Sequence, residues 1–311
     1  MAWYEEFDRL IEARAAALRV ERDAELAKYT SFRIGGPARR MAFPKTEEEA
    51  FAVLAACRCA EVPCLILGRG TNLLIADAGL DCVVLNTAEL NAIAVEEGGV
   101  LYAQAGAQLS RIAVQAQQAG WAGLACAHGI PGSLGGAGAM NAGAYGGEMA
   151  QVVASACVAL DGERHILKKE DLHFGYRHSL LSERSGVVLS ARLQLQPGDP
   201  AQIRAEMDDL MARRKKSQPL EYPSAGSTFK RPAGYFAGTM IDECGLKGTT
   251  VGGAEVSEKH AGFIINKNHA TFDDVLHLIG IVQDTVYRAY GVELEPEVKI
   301  LRGAEDVEGL L

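Results

Sequence analysis

Hydrophobic residues recur at helical spacing in four stretches of the chain. Apolar positions from Trp3 to Leu18 follow this spacing and predict a single helix over the first 27 residues. Three further predicted helices are TEEEAFAVLAACRCAEV with Thr46 as its N-cap, SRIAVQAQQAG, and a long segment that begins at Pro200 and ends in basic residues 213–216. Basic side chains favour the negative end of a helix dipole, so a solvated helix end is one interpretation of that cluster.

Apolar runs between these helices predict buried strands. CLILG and DCVVLN are two such runs, and short strands alternate with turns in NAIAVEEGGVLYAQAG. Strands are also predicted in VVASACVALDGERHIL and GVVLSARLQLQPGD, which precede Pro200. The mixture predicts an α+β fold built from α/β elements. We expect an N-terminal helix (1–28), a larger domain (29–199) and a smaller C-terminal domain (200–311).

Composition narrows the classes of function. The 311 residues allow two domains, and the net charge of −9 argues against a nucleic-acid partner, which would require a basic face. The acidic start lacks the pattern of a secretory signal, and no apolar run has transmembrane length, so we expect no membrane partner. The seven cysteines are an odd number without zinc-type spacing, which favours reduced thiols, a cytoplasmic location and no bound metal.

A glycine-containing turn follows the predicted strand CLILG. In GRGTNLL, Gly68 and Gly70 permit positive φ and close approach of a ligand, and Thr71 and Asn72 add side-chain donors. Successive N–H groups in such a turn form an anion-binding concavity. No long helix is predicted after it, which excludes the Rossmann fingerprint. Alone, this motif is more often a plain turn.

A second glycine-rich segment lies about sixty residues further on. Residues 128–148, HGIPGSLGGAGAMNAGAYGGE, contain eight glycines in 21 positions, which an ordinary helix or linker would not have. The two segments could close on one extended ligand, and a dinucleotide has the required diphosphate and flat rings. We interpret residues 130–132 as a rigid turn, with Asn141 and Tyr145 left for specific contacts.

Seven ordered motifs carry a family resemblance. They span Tyr29 to Leu301 and read YTSFRIGGPA, LGRGTNLLIADAG, IPGSLGGAGAMNAGAYGGE, YRHS, PSAGSTFKRP, GGAEVSEKHAGFIIN and LEPEVKIL. Together they closely resemble the UDP-N-acetylenolpyruvoylglucosamine reductases, flavoenzymes of bacterial peptidoglycan precursor synthesis. Only 49 residues separate Arg177 from Ser227, too few for the tyrosine-loop insertion of the family's longer variety. The chain is therefore similar to the shorter, second variety.

The resemblance implies a fold, a reaction and a set of cofactor contacts. The fold is an FAD-binding domain of the vanillyl-alcohol-oxidase (PCMH) type, followed by a smaller α/β substrate domain. NADPH reduces FAD, whose N5 then delivers a hydride to the enolpyruvyl ether of UDP-N-acetylglucosamine enolpyruvate. The implied cofactor-binding residues are Arg33, Gly68, Gly70, Thr71, Asn72, Leu73, Ile130, Pro131, Gly132, Ser133, Gly135, Gly136, Asn141, Gly143, Ala144 and Tyr145.

Three residues match the family's catalytic positions: Arg177 in FGYRHS, Ser227 in PSAGSTFK and Glu297 in LEPEVKIL. A permanently charged, bidentate arginine suits the carboxylate of an enolate intermediate, and a serine hydroxyl can supply the proton. A glutamate beside the substrate carboxylate is expected to have a raised pKa.

Each of these residues also has a purely structural interpretation. Arg177 could be a surface ion-pair residue, and Ser227 could bond its own backbone in a tight turn. Glu297 could pair with Lys299 or Lys230. Pro296 predicts an extended segment with Glu295 and Glu297 on one face of a strand.

Substrate contacts are harder to predict. Lys215, Lys216, Lys230 and Arg231 could offer positive charge to the UDP diphosphate or to NADPH, and Arg231 replaces an asparagine that contacts substrate in some members. Two alternative functions remain open: an FAD-dependent oxidase of a small hydroxy compound on the same scaffold, and a nucleotide-binding protein without catalysis. We expect a monomer or a weak dimer.

Overall fold

The computed structural model describes residues 2–184 and 186–308. Residues 1, 185 and 309–311, which the three predicted domains include, lie outside the described residues. The α-helices of the described chain are α1 (Trp3–Ala15), α2 (Glu47–Cys59), α3 (Leu109–Gln118), α4 (Leu134–Ala139), α5 (Leu180–Glu183), α6 (Pro200–Ser217), α7 (Ala237–Glu243), α8 (Phe272–Tyr290) and α9 (Glu305–Glu308). The predicted helices at residues 46–62, 110–120 and from Pro200 are confirmed as α2, α3 and α6.

The strands are short and numerous. They are β1 (Arg19–Glu25), β2 (Pro37–Phe43), β3 (Cys64–Leu67), β4 (Leu73–Ile75), β5 (Leu80–Asn86), β6 (Ile93–Val95), β7 (Val100–Gln104), β8 (Trp121–Ala122), β9 (Gly143–Ala144), β10 (Gly147–Glu148), β11 (Val153–Leu160), β12 (Glu163–Lys168), β13 (Gly186–Gln194), β14 (Gln196–Pro197), β15 (Thr250–Val251), β16 (Ala254–Val256), β17 (Ile264–Asn266) and β18 (Lys299–Leu301). The buried runs predicted at CLILG and DCVVLN are confirmed as β3 and β5.

The N-terminal segment differs from the sequence prediction. The single helix predicted over the first 27 residues is wrong, because α1 ends at Ala15 and Arg19–Glu25 forms β1. Phe7, Leu10 and Ile11 do form the buried face of α1. Beyond that helix, β1 pairs antiparallel with β2, so hydrogen bonds to a neighbouring strand override the local helical pattern.

Two sheets form the N-terminal part of the molecule. The first has the order β1-β2-β5-β3, with β5 parallel to both neighbours, and α1 and α2 pack against one of its faces. Thr46 caps α2 as predicted, its hydroxyl accepting a bond from the Glu49 amide at 3.2 Å. The second sheet is antiparallel, in the order β12-β11-β13-β7-β6. Its core includes Ile203 and Met207 of α6, so this helix packs against the larger predicted domain.

Elements of the C-terminal part pack beside the glycine-containing turn that precedes β4. The small sheet β15-β16-β17 packs with α7 and α8 in a core that also contains Phe32, Ile34 and Leu74. The last strand, β18, pairs parallel with β4, placing Lys299 opposite Leu73. Residues immediately before β18 therefore lie beside the turn that precedes β4. The division of the chain at residues 199 and 200 stays a prediction.

A buried ion pair should stabilise the N-terminal packing. Arg40 of β2 is 6% exposed and donates to both carboxylate oxygens of Asp8 at 2.8 and 2.9 Å. Asp8→Ala leaves this guanidinium without its partner, so we expect a loss of about 2 kcal/mol, below the range for fully buried pairs because Asp8 is partly exposed. Asp81→Ala removes an exposed partner of Arg39 and should cost under about 0.5 kcal/mol. Equal losses in denaturant titrations would contradict this account.

Candidate active site

An ion pair joins the turn that carries Arg177 to the segment before β18. The Arg177 Nε donates to Glu297 Oε1 at 2.8 Å, and the two side chains are 23% and 11% exposed. Two of the three predicted catalytic residues are thus in direct contact, although 120 positions separate them. Lys230, the alternative partner considered for Glu297, pairs with Glu295 instead. The strand β18 begins only at Lys299, so Glu295 and Glu297 lie in the segment before it.

Burial dominates the electrostatics of Glu297. Loss of water around the carboxyl raises its pKa, while the Arg177 charge and hydrogen bond and the more distant Lys230 act in the opposite direction. The carboxyl therefore titrates above its ordinary range even though a guanidinium touches it. This agrees in direction with the sequence expectation.

Arg177 itself lies in a strained turn. Gly175 and His178 close the turn through two backbone hydrogen bonds of 3.0 and 3.2 Å, and Arg177 has a φ of 53°. A left-handed conformation costs a residue other than glycine about 1 kcal/mol or more, and such strain is common at functional sites. Tyr176, beside it, is 58% exposed, and its ring centre lies 5.3 Å from the guanidinium carbon.

The backbone of Glu297 lies between two predicted site segments. Its amide donates to the Thr228 carbonyl at 2.8 Å, and its carbonyl accepts from Asn72 Nδ2 at 3.0 Å. Asn72, expected to contact the cofactor, thus uses an amide hydrogen to hold the Glu297 segment. Because Thr228 follows Ser227 directly, the same bonds place the third predicted catalytic residue at this junction.

Ser227 is exposed and follows Gly226, which has a φ of 80°. No hydrogen bond of its hydroxyl is found within residues 2–184 and 186–308, so the interpretation as a turn residue bonding its own backbone gains no support. The hydroxyl is free to meet a ligand.

The two glycine-rich segments lie against each other. A Cβ on Gly68 would come 2.5 Å from Ser133 Oγ, and one on Gly132 would lie 3.7 Å from Thr71 Oγ1. The two segments must lie this close together if they are to bind one extended ligand from two sides. We call residues 68–73 and 130–136 together the cradle.

Several glycines of the two glycine-rich segments are explained by the protein's own packing. A Cβ on Gly70 would lie 2.3 Å from the Tyr29 carbonyl oxygen, and one on Gly135 would lie 2.9 Å from Ala105 Cβ. Gly143, in the β9-β10 hairpin, would contact the Gly147 carbonyl oxygen at 2.5 Å. Gly136 differs, because a Cβ there meets no atom within 4 Å and the residue is exposed. The cofactor contacts of these glycines stay predictions.

Two buried polar atoms beside the cradle lack partners. Ser133 Oγ and Arg214 Nε have no hydrogen bond within the described part of the chain, although these residues are only 3% and 7% exposed. The pKa of Arg214 is lowered by burial and no carboxylate offsets this. Its guanidinium lies 5.6 Å from the Tyr145 ring centre and close to Gly129. Its Nη1 donates to Gln218 Oε1 at 3.1 Å, so the guanidinium has a neutral partner there and none at Nε among the described residues. A buried cation with an unused donor and an exposed ring fit an anionic ligand with flat rings, such as FAD.

Sequence reasoning missed Arg214, although the sequence contains a signal for it. Ile203 and Met207 form the buried face of α6, and Arg214 lies seven positions beyond Met207 on that same face. Lys215 and Lys216, which were predicted as substrate contacts, are exposed. The helix therefore turns the neighbouring arginine inward and leaves the lysines in solvent.

The other predicted contacts have varied surroundings. Asn141 is 1% exposed and bonds backbone groups at both ends of its amide. Arg231 stacks on the Phe236 ring, its guanidinium carbon 3.8 Å from the ring centre. Arg33 is exposed and has a φ of 57°, and Leu73 is buried. Ile130 and Ala144 are partly buried, and Pro131 is exposed. The cofactor contacts of these five residues stay predictions.

Within the described residues, no cluster of His, Cys, Asp or Glu is arranged to hold a metal ion. None of the helices described there is long and apolar enough to span a membrane.

Comparisons with known proteins match both parts of the chain. A family model described as "FAD binding domain" matches residues 38–167, and one described as "UDP-N-acetylenolpyruvoylglucosamine reductase, C-terminal domain" matches residues 218–301. The Clostridium novyi reductase is 49% identical over 278 residues, covering 89% of this chain and 90% of its own. The reductase from Clostridium perfringens strain SM101 is 46% identical over 303 residues, with 97% and 99% covered.

A solved structure agrees with the sequence matches. The crystal structure of UDP-N-acetylenolpyruvylglucosamine reductase from Thermus caldophilus superposes with a TM-score of 0.79 at 38% identity, covering 91% of this chain and 99% of that one. Matches to both domains leave the oxidase and the non-catalytic binding protein without support. The chain belongs to the UDP-N-acetylenolpyruvoylglucosamine reductase family, and it is an FAD-dependent, NADPH-consuming oxidoreductase of peptidoglycan precursor synthesis.

Proposed function

We propose that Arg177, Ser227 and Glu297 carry out the reduction of the enolpyruvyl ether in UDP-N-acetylglucosamine enolpyruvate. The observation that carries this assignment is the 2.8 Å bond between Arg177 and Glu297, together with the backbone bond from Glu297 to Thr228, the residue after Ser227. Bound FAD, reduced by NADPH, supplies the hydride to the terminal carbon of the enolpyruvyl group. The protein must then stabilise the negative charge on the adjacent carbon and its carboxylate, and deliver a proton.

Arg177 is the group that binds the carboxylate. Its Nε is engaged by Glu297, which leaves both terminal nitrogens for a bidentate contact with the substrate. As charge spreads into the carboxylate, this contact strengthens and lowers the barrier. Glu297 orients the guanidinium, and its own backbone bonds to Thr228 and Asn72 fix that orientation.

Ser227 is the proton donor in this proposal. Its side chain is exposed and unengaged, and a Cβ on the preceding Gly226 would meet no atom within 4 Å, so the approach is open. Glu297, whose pKa is raised by burial, is the next candidate for the donor. Its Oε1 already accepts the Arg177 bond, which favours orientation over donation as its role.

The cradle binds the cofactor. We assign Ser133 and Arg214 to FAD because each has a buried polar atom without a partner among the described residues. Thr71 and the backbone at Gly136 complete one side, and Tyr145 offers an exposed ring on the other. A positive charge facing the cofactor would stabilise its negatively charged groups.

The diphosphate of the substrate requires cations near the Arg177 turn. Arg231 fits this role, because it has no carboxylate partner within the described residues and its amide donates to the Tyr176 hydroxyl at 3.2 Å. Lys230 is partly neutralised by Glu295. Lys215 and Lys216, at the exposed end of α6, are better suited to the phosphates of NADPH.

We further propose a cytoplasmic enzyme that acts as a monomer or weak dimer and uses no nucleic-acid or membrane partner. All seven cysteines are free thiols, which fits a reducing compartment.

Gly136→Val tests the cradle. A Cβ there meets no described atom within 4 Å, so the protein should fold, but the side chain would fill the space assigned to FAD. We expect purified protein with little flavin absorbance and a nearly unchanged circular dichroism spectrum. Gly280→Val, also at a helical glycine with open space, is the control and should retain FAD. Stoichiometric flavin in Gly136→Val would show that the cofactor lies elsewhere.

Arg177→Lys tests carboxylate binding. Lysine keeps the charge but lacks the planar fork. Reduction of the flavin by NADPH should persist, while reoxidation by the enolpyruvyl substrate falls roughly a hundredfold or more, as for loss of one preorganised donor. Stopped-flow absorbance separates the two steps. Equal damage to both would assign Arg177 to the cofactor or the fold.

Ser227→Ala tests proton delivery. Reduction of the flavin requires no proton on substrate carbon, so that step should stay close to normal. Reoxidation should slow by roughly a hundredfold to ten-thousandfold, the range for loss of a general acid. Ser227→Cys should retain more activity, because a thiol can donate from the same place. Normal reoxidation in the alanine variant would transfer the role to Glu297.

A further inference from the structure

Two buried polar side chains tie the Arg177 turn to the glycine-rich segment. Asn141 Nδ2 donates to the Gly175 carbonyl at 2.9 Å, and Ser179 Oγ donates to the Ala139 carbonyl at 2.6 Å. Asn141 and Ser179 are each 1% exposed. The bonds run in opposite directions, one from the glycine-rich segment to the turn and one from the residue after the turn back to the end of α4. We call this pair of bonds the clamp.

Both ends of the Asn141 amide form hydrogen bonds inside the protein. Its Oδ1 accepts from the Ala150 amide at 2.8 Å, while Nδ2 donates to the Gly175 carbonyl. Because the side chain is only 1% exposed, it is shielded from a cofactor, which was its expected contact. Asn141 has a φ of 47°, a conformation that asparagine tolerates better than most residues.

Asn141 donates to the same Gly175 carbonyl oxygen that closes the turn. The Gly175 carbonyl also accepts from the His178 amide at 3.2 Å, so both of its lone-pair positions are occupied. That fixes the peptide plane at one end of the turn. At the other end, the hydroxyl of Ser179 anchors the chain directly after His178.

The side chains of the turn make contacts of their own, since Arg177 bonds Glu297 and the Tyr176 hydroxyl accepts from the Arg231 amide. These contacts do not fix the backbone of the turn, where Arg177 has a φ of 53°. The backbone therefore depends on bonds to its own carbonyl and amide groups and to the residue that follows the turn. In the ordinary range of negative φ, the Arg177 side chain would leave the backbone in another direction and lose the Nε bond to Glu297. The position of the guanidinium thus depends on backbone bonds that the clamp sets.

We propose that Asn141 and Ser179 are positioning residues that hold the left-handed backbone of Arg177 and thereby its guanidinium against Glu297 and the substrate carboxylate. They act through Arg177 and contact neither substrate nor cofactor. The inference rests on the proposed role of Arg177. Since the clamp involves Ala139, the last residue of α4, and Asn141 just after it, it also links the geometry of the cradle to that of the turn.

Asn141→Asp in the holoenzyme tests the clamp. The substitution removes the Nδ2 donor but keeps the Oδ1 acceptor and the tolerance of positive φ. We expect full FAD content, NADPH-driven flavin reduction within about twofold of wild type, and at least a tenfold lower rate of reoxidation by UDP-N-acetylglucosamine enolpyruvate. The loss should appear mainly in kcat, and amide exchange at Gly175 and His178 should become faster. The control is Asn91→Asp, which removes an exposed amide bond to the Ala88 carbonyl.

Ser179→Ala and Ser182→Ala form a second, independent pair. Both hydroxyls bond the Ala139 carbonyl, at 2.6 and 3.3 Å, but only Ser179 is buried beside the turn. Ser179→Ala should slow reoxidation several-fold without affecting flavin reduction. Ser182→Ala removes the longer bond to Ala139 and a 3.3 Å bond from the Ser179 amide, so it should slow reoxidation less than Ser179→Ala does. This pair decides the question if Asn141→Asp does not fold.

Three results would overturn the inference: loss of FAD from folded Asn141→Asp, equal slowing of both half-reactions, or unchanged kinetics together with unchanged amide exchange. The first result would assign Asn141 to the cofactor, the second would assign it to general stability, and the third would leave it with no role at the turn. Failure of the proposed function is a separate result, because Arg177→Lys would then reoxidise at the wild-type rate.

Discussion

The bond between Arg177 and Glu297 is the contact on which the site depends. It brings a turn that follows β12 together with the segment that precedes β18, and both partners are mostly shielded from water. Burying such a pair is costly unless geometry and further hydrogen bonds compensate, and removing one partner leaves an isolated charge. Backbone bonds fix the geometry of both partners: Thr228 and Asn72 hold the Glu297 segment, and the turn closed by Gly175 and His178 holds Arg177.

The glycine-rich sequences serve this geometry in two different ways. Most of the close approaches at Gly68, Gly70 and Gly135 are to the protein's own atoms, so these glycines let the chain pack against itself. Gly136 faces open space, which leaves room for a ligand. The cradle thus combines close self-packing with one open face. Arg214 Nε and Ser133 Oγ, which have no partner among the described residues, then supply polarity at its edge, where an anionic cofactor is expected.

Sequence reasoning succeeded where a local pattern determines structure. The helices from Glu47, Leu109 and Pro200, the strands at Cys64 and Leu80, and the family motifs all depend on short stretches of residues. It failed where contacts between residues far apart in the sequence determine the structure. Arg19–Glu25 became a strand because β2 lies beside it, and the partners of Asn141 and Arg214 lie in segments far along the chain. The contact between Arg177 and Glu297 could be expected only from the family likeness.

The most direct test of this account is a double-mutant cycle on the rate constant of flavin reoxidation by UDP-N-acetylglucosamine enolpyruvate. The four proteins are wild type, Arg177→Lys, Glu297→Gln and the double variant. If Glu297 acts by orienting Arg177, the second substitution should add little to the first, and the double variant should stay within about tenfold of the slower single variant. A double variant in which the two losses multiply in full would show that the residues act independently and would contradict the account.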